Sequence, residues 1–171
     1  EQDGEGHVDV WGIHWTKQGA FNQVTHSPLE TASDEELLSY SFPVDHMEDL
    51  LDNMTPLLSR SESQFLGCDV SPCVFELYCR LRGMEQSLLD LMLEPERADQ
   101  MLKRCGEFSR DLAQEACSRF PLDWLWTGDD VASQQGMMMS PETWRHLIKP
   151  HLQLAVDVGK HHDLWVAYHC C

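Results

Sequence analysis

The sequence predicts an α/β fold built on a parallel sheet. From Gln64 onward the predicted elements follow one another as strand, helices, strand, helix and strand, which is the order of βαβ units. The three predicted strands, residues 64–68, 123–127 and 164–168, are short and apolar, as expected for strands covered on both faces. Three strands cannot close a barrel, which typically takes about 250 residues. We therefore expect an architecture that is incomplete at both ends.

The part of the chain ahead of the sheet has a different character. We expect one domain, in which residues 1–43 are an excursion of extended pieces and loops before the βα units of residues 44–171. Short apolar runs with turn signals predict extended pieces over residues 7–26. A short acidic helix is predicted over residues 34–38.

Helices are predicted from apolar spacing and from their end signals. The spacing predicts a helix over residues 45–59, which Pro56 is expected to bend or shorten. Ser71-Pro72 is typical of a helix start, with Ser as N-cap and Pro at the first helical position. Gly83 is typical of that helix's end, and a further helix is predicted over residues 84–93.

Two more helices are predicted in the second half of the chain. Pro95 begins the longest one, whose apolar stripe continues to Phe120. Ser140-Pro141 repeats the pattern of a Ser cap followed by Pro. The stripe of this last helix continues past Pro150, where we expect a kink.

The charge balance excludes several classes of partner. The chain of 171 residues has 12 Lys and Arg against 29 Asp and Glu, a formal net charge of −17. Such a chain repels phosphate, which argues against nucleic acid and against a polybasic membrane patch. No apolar run approaches the roughly 20 residues of a membrane span. Nucleotide-binding loops and the serine-hydrolase elbow are also absent from the sequence.

The seven cysteines are predicted to be reduced thiols. Their number is odd, and no Cys-x-x-Cys pair is present, so a thioredoxin-like motif and a zinc ribbon are excluded. The chain begins without a secretory signal, which favours a cytoplasmic location. It also begins without Met, and we expect it to be cut from a longer protein.

Candidate functional residues follow the predicted strands, because ligands of α/β folds bind beyond the carboxyl ends of the strands. Asp129 and Asp130 follow the second strand and could bind a metal, hold a substrate cation or supply a general acid. The alternative is that these two residues cap a helix or are solvated in a loop, and the pattern alone favours this alternative. Glu76 lies about one turn into the helix after the first strand, near the same mouth. An ordinary solvated helix acid is the alternative there.

His169 and Cys171 form a His-x-Cys pair after the third strand. Side chains alternate along an extended strand, so these two point the same way while Cys170 points the opposite way. Imidazole and thiolate suit tetrahedral zinc. The pair is only half a site, since zinc needs at least one more protein ligand, and a structural or chance origin stays open.

Several segments resemble motifs of the uroporphyrinogen decarboxylase-like superfamily. They cover nearly the whole chain in the order of the family. Residues 75–85 resemble "FERAWxLRGxE", residues 128–136 "GDDxGTQxG", residues 139–150 "MSPExWRxxIKP" and residues 168–171 "HSCG". Residues 9–12 resemble "DEWG", with Val10 in place of Glu.

The resemblance implies a (β/α)₈ barrel, of which this chain would be the central part without the N- and C-terminal parts. It favours the branch that moves a methyl group between a corrinoid protein and a thiol with the help of zinc. His169 and Cys171 match the first two zinc ligands of that branch, and the third would lie beyond the chain. Two alternatives stay open: cofactor-independent decarboxylation of uroporphyrinogen in porphyrin biosynthesis, and a tetrapyrrole or corrinoid binder without catalysis.

The resemblance also implies roles for the other candidate residues. Asp129 and Asp130 are expected to be catalytic, orienting the substrate or the surroundings of the zinc. Glu76 and Gln134, which match polar positions of the motifs, are expected to bind substrate. The expected partner is a corrinoid protein or a tetrapyrrole substrate.

Overall fold

The chain begins with an antiparallel sheet. The computed structural model describes residues 4–170. Three strands pair in chain order: β1 (Gly6–Val8), β2 (His14–Gln18) and β3 (Phe21–His26). Gly19, at φ +62°, lies in the tight turn between β2 and β3, a conformation that glycine adopts without a Cβ penalty. The extended pieces predicted over residues 7–26 are confirmed, and both faces of β3 are exposed.

The short acidic helix is also confirmed, as α1 (Asp34–Ser39). Ser33 caps it, because its hydroxyl accepts a hydrogen bond from the amide of Glu36. The carboxylate of Glu36 in turn accepts a hydrogen bond from the amide of Ser33 at 2.8 Å. This reciprocal capping box satisfies two amides that the helix cannot pair internally.

The helix predicted over residues 45–59 is confirmed only in part, because the segment is α-helical only over Met47–Leu51. A 3₁₀ turn (Val44–His46) leads into α2 (Met47–Leu51), and a second 3₁₀ segment follows (Asp52–Arg60). Pro56 lies inside that second segment. Its ring and missing amide proton disfavour a continuous α-helix through this position.

The remaining elements contain the parallel sheet and the helices that cover it. They are β4 (Gly67–Asp69), α3 (Phe75–Arg82), α4 (Met84–Leu93), α5 (Pro95–Arg119), β5 (Trp124–Gly128), β6 (Ala132–Ser133), β7 (Gly136–Met137), α6 (Pro141–Thr143), a π-helical turn (Trp144–Ile148), α7 (Lys149–His161) and β8 (Trp165–His169). The small β6–β7 hairpin lies between β5 and α6.

The parallel sheet has the strand order β4-β5-β8. Trp124 pairs with Gly67 on one side and with Trp165 on the other, and Gly128 pairs with His169 at the far end. Leu125 in the central strand is fully buried. The predicted α/β fold with a parallel sheet is confirmed, and no closure into a barrel is seen within residues 4–170.

The start predicted for α3 at Ser71-Pro72 was wrong, because the helix begins at Phe75. The amide of Val70 donates to the carbonyl of Trp126 at 3.0 Å, and the amide of Cys73 donates to the carbonyl of Gly128 at 2.9 Å. These bonds hold the segment alongside β5 beyond the end of β4. A helix can therefore begin only after Cys73.

The start predicted at Ser140 is confirmed. Its hydroxyl accepts a hydrogen bond from the amide of Thr143 at 3.0 Å. The irregularity expected at Pro150 lies just before it: the amide of Lys149 bonds to the carbonyl of Trp144, five residues back. Pro150 has no amide proton with which to continue that pattern, and α7 proceeds regularly from there.

The longest helix, α5, packs against α7 at close range. A Cβ added to Gly106 would lie 2.7 Å from the backbone oxygen of His151, so glycine allows the two helices to approach. On its other side α7 contacts β5 and β8. Among the helices that the structure describes, none combines the length and the apolar character needed to cross a membrane.

A buried carboxylate joins α3, α4 and α5. Asp90 is 1% exposed, and it accepts hydrogen bonds from Tyr78 at 2.6 Å, Arg82 at 3.1 Å and Arg97 at 2.7 Å. Gln86 adds a fourth at 2.8 Å. Burial by itself raises the pKa of Asp90, but these hydrogen bonds outweigh it and lower the pKa below its ordinary value.

Candidate functional site at the carboxyl ends of the strands

The sheet register brings Asp130 and His169 together. Gly128 ends β5 opposite His169, the last residue of β8, and Asp130 follows two residues after Gly128. Its Oδ1 lies 3.4 Å from Nε2 of His169, and the two side chains are 39% and 46% exposed. The ring of Trp126 stacks on the imidazole with 5.8 Å between centroids. Two of the strand ends that carry candidate residues thus lie side by side.

Asp129, the neighbour of Asp130, has the opposite environment. It is fully buried, and its Oδ1 accepts hydrogen bonds from the amides of Glu76 at 2.7 Å and Val74 at 3.2 Å. Its Oδ2 is buried without a hydrogen-bond partner among the described residues. Burial raises the pKa of Asp129 to about 7, although the amides of Glu76 and Val74 act in the opposite direction.

The backbone of Asp129 is also engaged. Its amide donates to the carbonyl of His169 at 3.1 Å. Its carbonyl accepts a hydrogen bond from the hydroxyl of Tyr168 at 3.2 Å. Together with the bonds of its side chain, these contacts connect the ends of β5 and β8 with the first turn of α3.

Glu76 lies at the beginning of α3 and is paired rather than simply solvated. Its Oε1 accepts a hydrogen bond from Arg80 at 2.6 Å. The guanidinium of Arg80 lies over the ring of Trp15 in β2, 5.3 Å from its centroid. Sequence reasoning missed Arg80 and Trp15, since only the tertiary fold brings the hairpin to this helix.

A cavity of about 580 Å³ separates the β2–β3 hairpin from α3. Residues 22–27 of the hairpin line one side, and Glu76 and Arg80 lie on the other. Asp130 is also part of the wall, so the cavity extends to the carboxylate beside His169. Such a volume suits a small-molecule ligand.

Gln134 is not brought into this arrangement. It lies between β6 and β7 on an exposed turn, and it is not among the residues that line the cavity. Nothing in its surroundings links it to the Asp130–His169 pair. Its expected role in substrate binding therefore depends on the resemblance alone.

The metal ligands predicted at the end of β8 are described only in part. Cys171 lies outside the described residues, and Cys170 is exposed. No group of three or more His, Cys, Asp or Glu side chains between residues 4 and 170 is arranged to hold a metal ion. His169 offers an imidazole beside the carboxylate of Asp130, which fits a zinc ligand and its supporting group in kind.

The buried thiols do not provide a nucleophile. The six cysteines among the described residues are free. Burial raises the pKa of Cys68, Cys73 and Cys79 to about 12 in each case. A thiol is reactive as its thiolate, and these thiols are protonated at neutral pH.

Comparison with known proteins yields one structural similarity. No family model matches the sequence, and no curated protein matches it. The fold is similar to a solved methyltransferase from Methanosarcina mazei, with a TM-score of 0.72 and 18% sequence identity. The match covers 96% of this chain and 48% of that one, so the chain spans about half the length of the structure it matches. At this identity the similarity establishes the fold.

Proposed function

We propose that this chain carries part of the active site of a zinc-dependent methyltransferase of the uroporphyrinogen decarboxylase-like superfamily. Its reaction would move a methyl group between a corrinoid protein and a thiol. The observation that carries the proposal is the position of His169, which ends a parallel strand beside Asp130 at the wall of a cavity. The structural similarity to a methyltransferase and the motif resemblance support the same reading.

The proposed zinc ligands in this chain are His169 and Cys171. When bound, zinc supplies a Lewis acid that keeps a substrate thiol deprotonated at neutral pH. Nε2 of His169 faces Asp130, so we assign the metal to Nδ1. A carboxylate that holds one ring nitrogen commonly orients the other toward a metal.

The cavity is the proposed substrate site. Asp130, which lies in the cavity wall, would hold the imidazole of His169 in place. Trp126 restricts the same ring by stacking on it. Glu76 and Arg80 line the α3 side of the cavity and would contact the substrate away from the reacting thiol. Gln134 is included as a substrate contact on the resemblance alone.

Decarboxylation of uroporphyrinogen is the alternative with an observation in its favour. Asp130, half-exposed in the cavity wall, could accept hydrogen bonds from pyrrole N–H groups. Uroporphyrinogen, however, carries eight carboxylates. The described lining contains Glu30, Glu76 and Asp130 but Arg80 as its sole Arg or Lys, a poor electrostatic match for such a substrate. Methyl transfer is therefore the preferred function.

The test uses the full-length protein with a methylated corrinoid and a thiol. We expect stoichiometric zinc by elemental analysis, and loss of the methyl group from cobalt in the visible spectrum of the corrinoid. His169→Ala should lose zinc and methyl transfer together, whereas the control Cys170→Ser should retain both. A native protein without zinc that releases CO₂ from uroporphyrinogen would replace the proposal with the alternative. A protein that binds the corrinoid without turnover would identify a binder.

A further inference from the structure

The two adjacent carboxylates of the site have different environments. Asp130 is 39% exposed at the cavity wall, whereas Asp129 is fully buried. The resemblance implies the same kind of role for both. Their different exposure indicates two different functions, because a group that acts on a substrate must be able to reach it.

Asp129 cannot reach a substrate in the cavity. It is not among the lining residues, and its Oδ1 already accepts the amides of Glu76 and Val74. Its Oδ2 is enclosed by protein. The carboxylate therefore acts on the chain around it.

That surrounding chain consists of the parts that carry the proposed site. The 2.7 Å bond to the amide of Glu76 fixes the first turn of α3 and hence the point at which the Glu76 side chain enters the cavity wall. The backbone amide of Asp129 holds the carbonyl of His169 at 3.1 Å. Tyr168 adds a third connection, since its hydroxyl donates to the carbonyl of Asp129. Asp129 thus contacts both the first turn of α3 and the end of β8.

We infer that Asp129 is a positioning residue, which holds Glu76 and His169 in a fixed relation through its Oδ1 and its backbone, while Asp130 faces the substrate. This inference rests on the proposed function. A misplacement of about 1 Å can lower a rate by about a hundredfold, so a buried connection of this kind affects turnover without touching the substrate. For this role the hydrogen-bond acceptor at Oδ1 of Asp129 is essential, whereas the negative charge of the carboxylate is dispensable.

Asp129→Asn and Asp129→Ala separate the role of the hydrogen-bond acceptor from that of the charge. Asparagine keeps an oxygen acceptor for the amide of Glu76, whereas alanine removes it. Both variants lower stability, because each changes a buried polar group. Leu152→Ala, a truncation of a buried residue on α7, is the control for lost stability alone.

Three measurements on the full-length protein test the inference: hydrogen exchange at the amide of Glu76, the NMR signal of the His169 imidazole, and kcat and KM for methyl transfer. We expect Asp129→Ala to speed the exchange at least tenfold, shift the imidazole signal and lower kcat at least tenfold. Asp129→Asn should stay within about threefold of the native protein in exchange and kcat. Leu152→Ala should leave the imidazole signal, kcat and KM unchanged at a temperature where it is folded, and it measures how far lost global stability alone speeds the exchange.

Other outcomes overturn the inference. If Asp129→Asn is as inactive as Asp129→Ala while exchange and imidazole signal stay native, the carboxylate acts through its charge. If Asp129→Ala changes neither the exchange nor the signal, the side chain of Asp129 positions neither Glu76 nor His169. Should the native protein show no methyl transfer, the proposed function fails, and exchange and the imidazole signal still decide whether Asp129 holds Glu76 and His169 in place.

Discussion

Asp130 Oδ1 lies 3.4 Å from Nε2 of His169 across two neighbouring parallel strands. The contact depends on register, because Gly128 pairs with His169 and thereby sets the position of the residues that follow β5. A shift of one residue would turn His169 to the other face of the sheet. The candidate site is thus a product of strand pairing.

Asp130→Ala should weaken the site far more than the fold. Its side chain is 39% exposed, and substitutions at exposed positions usually change stability by about 0.5 kcal/mol or less. Loss of a carboxylate that supports a metal-ligating histidine typically lowers metal affinity or activity 10- to 100-fold. Zinc titration and turnover, measured beside thermal unfolding, check this. Asp157→Ala, at an exposed position on α7, is the matched control, and an equal effect of both variants would contradict the assignment.

The Asp130–His169 juxtaposition was predictable from the sequence, for a general reason. Carboxyl ends of parallel strands meet at one edge of a sheet, and the apolar runs that form β5 and β8 are distinct in the sequence. Knowing the two strand ends was therefore enough to place the two side chains near each other. The different burial of Asp129 and Asp130 was not predictable, because it depends on how α3 packs against the end of β5.

The start of α3 and the cavity wall depend on contacts between residues that are far apart in the sequence, which local sequence patterns do not reveal. Ser71-Pro72 is typical of a helix start, but hydrogen bonds of Val70 and Cys73 to the distant strand β5 determine the backbone there. Likewise, Arg80 lies over Trp15, a residue far away in the sequence. Both features arise from non-local contacts, for which single-sequence patterns carry no signal.

Gly106→Ala should destabilise the protein by roughly 1–3 kcal/mol, as overpacking at a tight contact does. The added Cβ would lie 2.7 Å from the backbone oxygen of His151 and 2.8 Å from its Cβ, so α5 and α7 would have to separate. Chemical denaturation measures the change. Ser118→Ala, at an exposed position of the same helix, should leave stability unchanged or slightly raised, and a similarly mild Gly106→Ala would contradict the close approach.

Asp90 is predicted to make stability depend on acid pH. Its pKa is lower in the folded protein than in the unfolded chain, so it contributes stability above its unfolded pKa of about 3.9 that is lost as the pH falls through its folded pKa. At pH 7, Asp90→Asn breaks a buried ion pair with Arg82 and Arg97, a change that typically destabilises by about 3–5 kcal/mol. The difference from the native protein should shrink below pH 4 in denaturant unfolding. A pH-independent difference would contradict the ionised state of Asp90.

Arg80 is predicted to select the charge of the thiol substrate. It is the sole Arg or Lys in the described cavity lining, which also contains Glu30 and Glu76. Its bond to Glu76 and its position over Trp15 are both partly exposed interactions, so Arg80→Met should lower stability by only about 1 kcal/mol or less. The variant leaves the carboxylates of the wall without a compensating charge.

An anionic thiol should therefore bind Arg80→Met less well than a neutral thiol does. A charge pair at a partly exposed site changes the binding free energy by up to roughly 1 kcal/mol, which is about fivefold in KM. In Arg80→Met we expect KM for the anionic 3-mercaptopropionate to rise about fivefold more than KM for the neutral 2-mercaptoethanol. Any change in kcat should be the same for both thiols. Arg80→Lys keeps the charge and should show a smaller difference between the two thiols. An equal rise in KM for both thiols with Arg80→Met would mean that Arg80 shapes the wall without selecting charge.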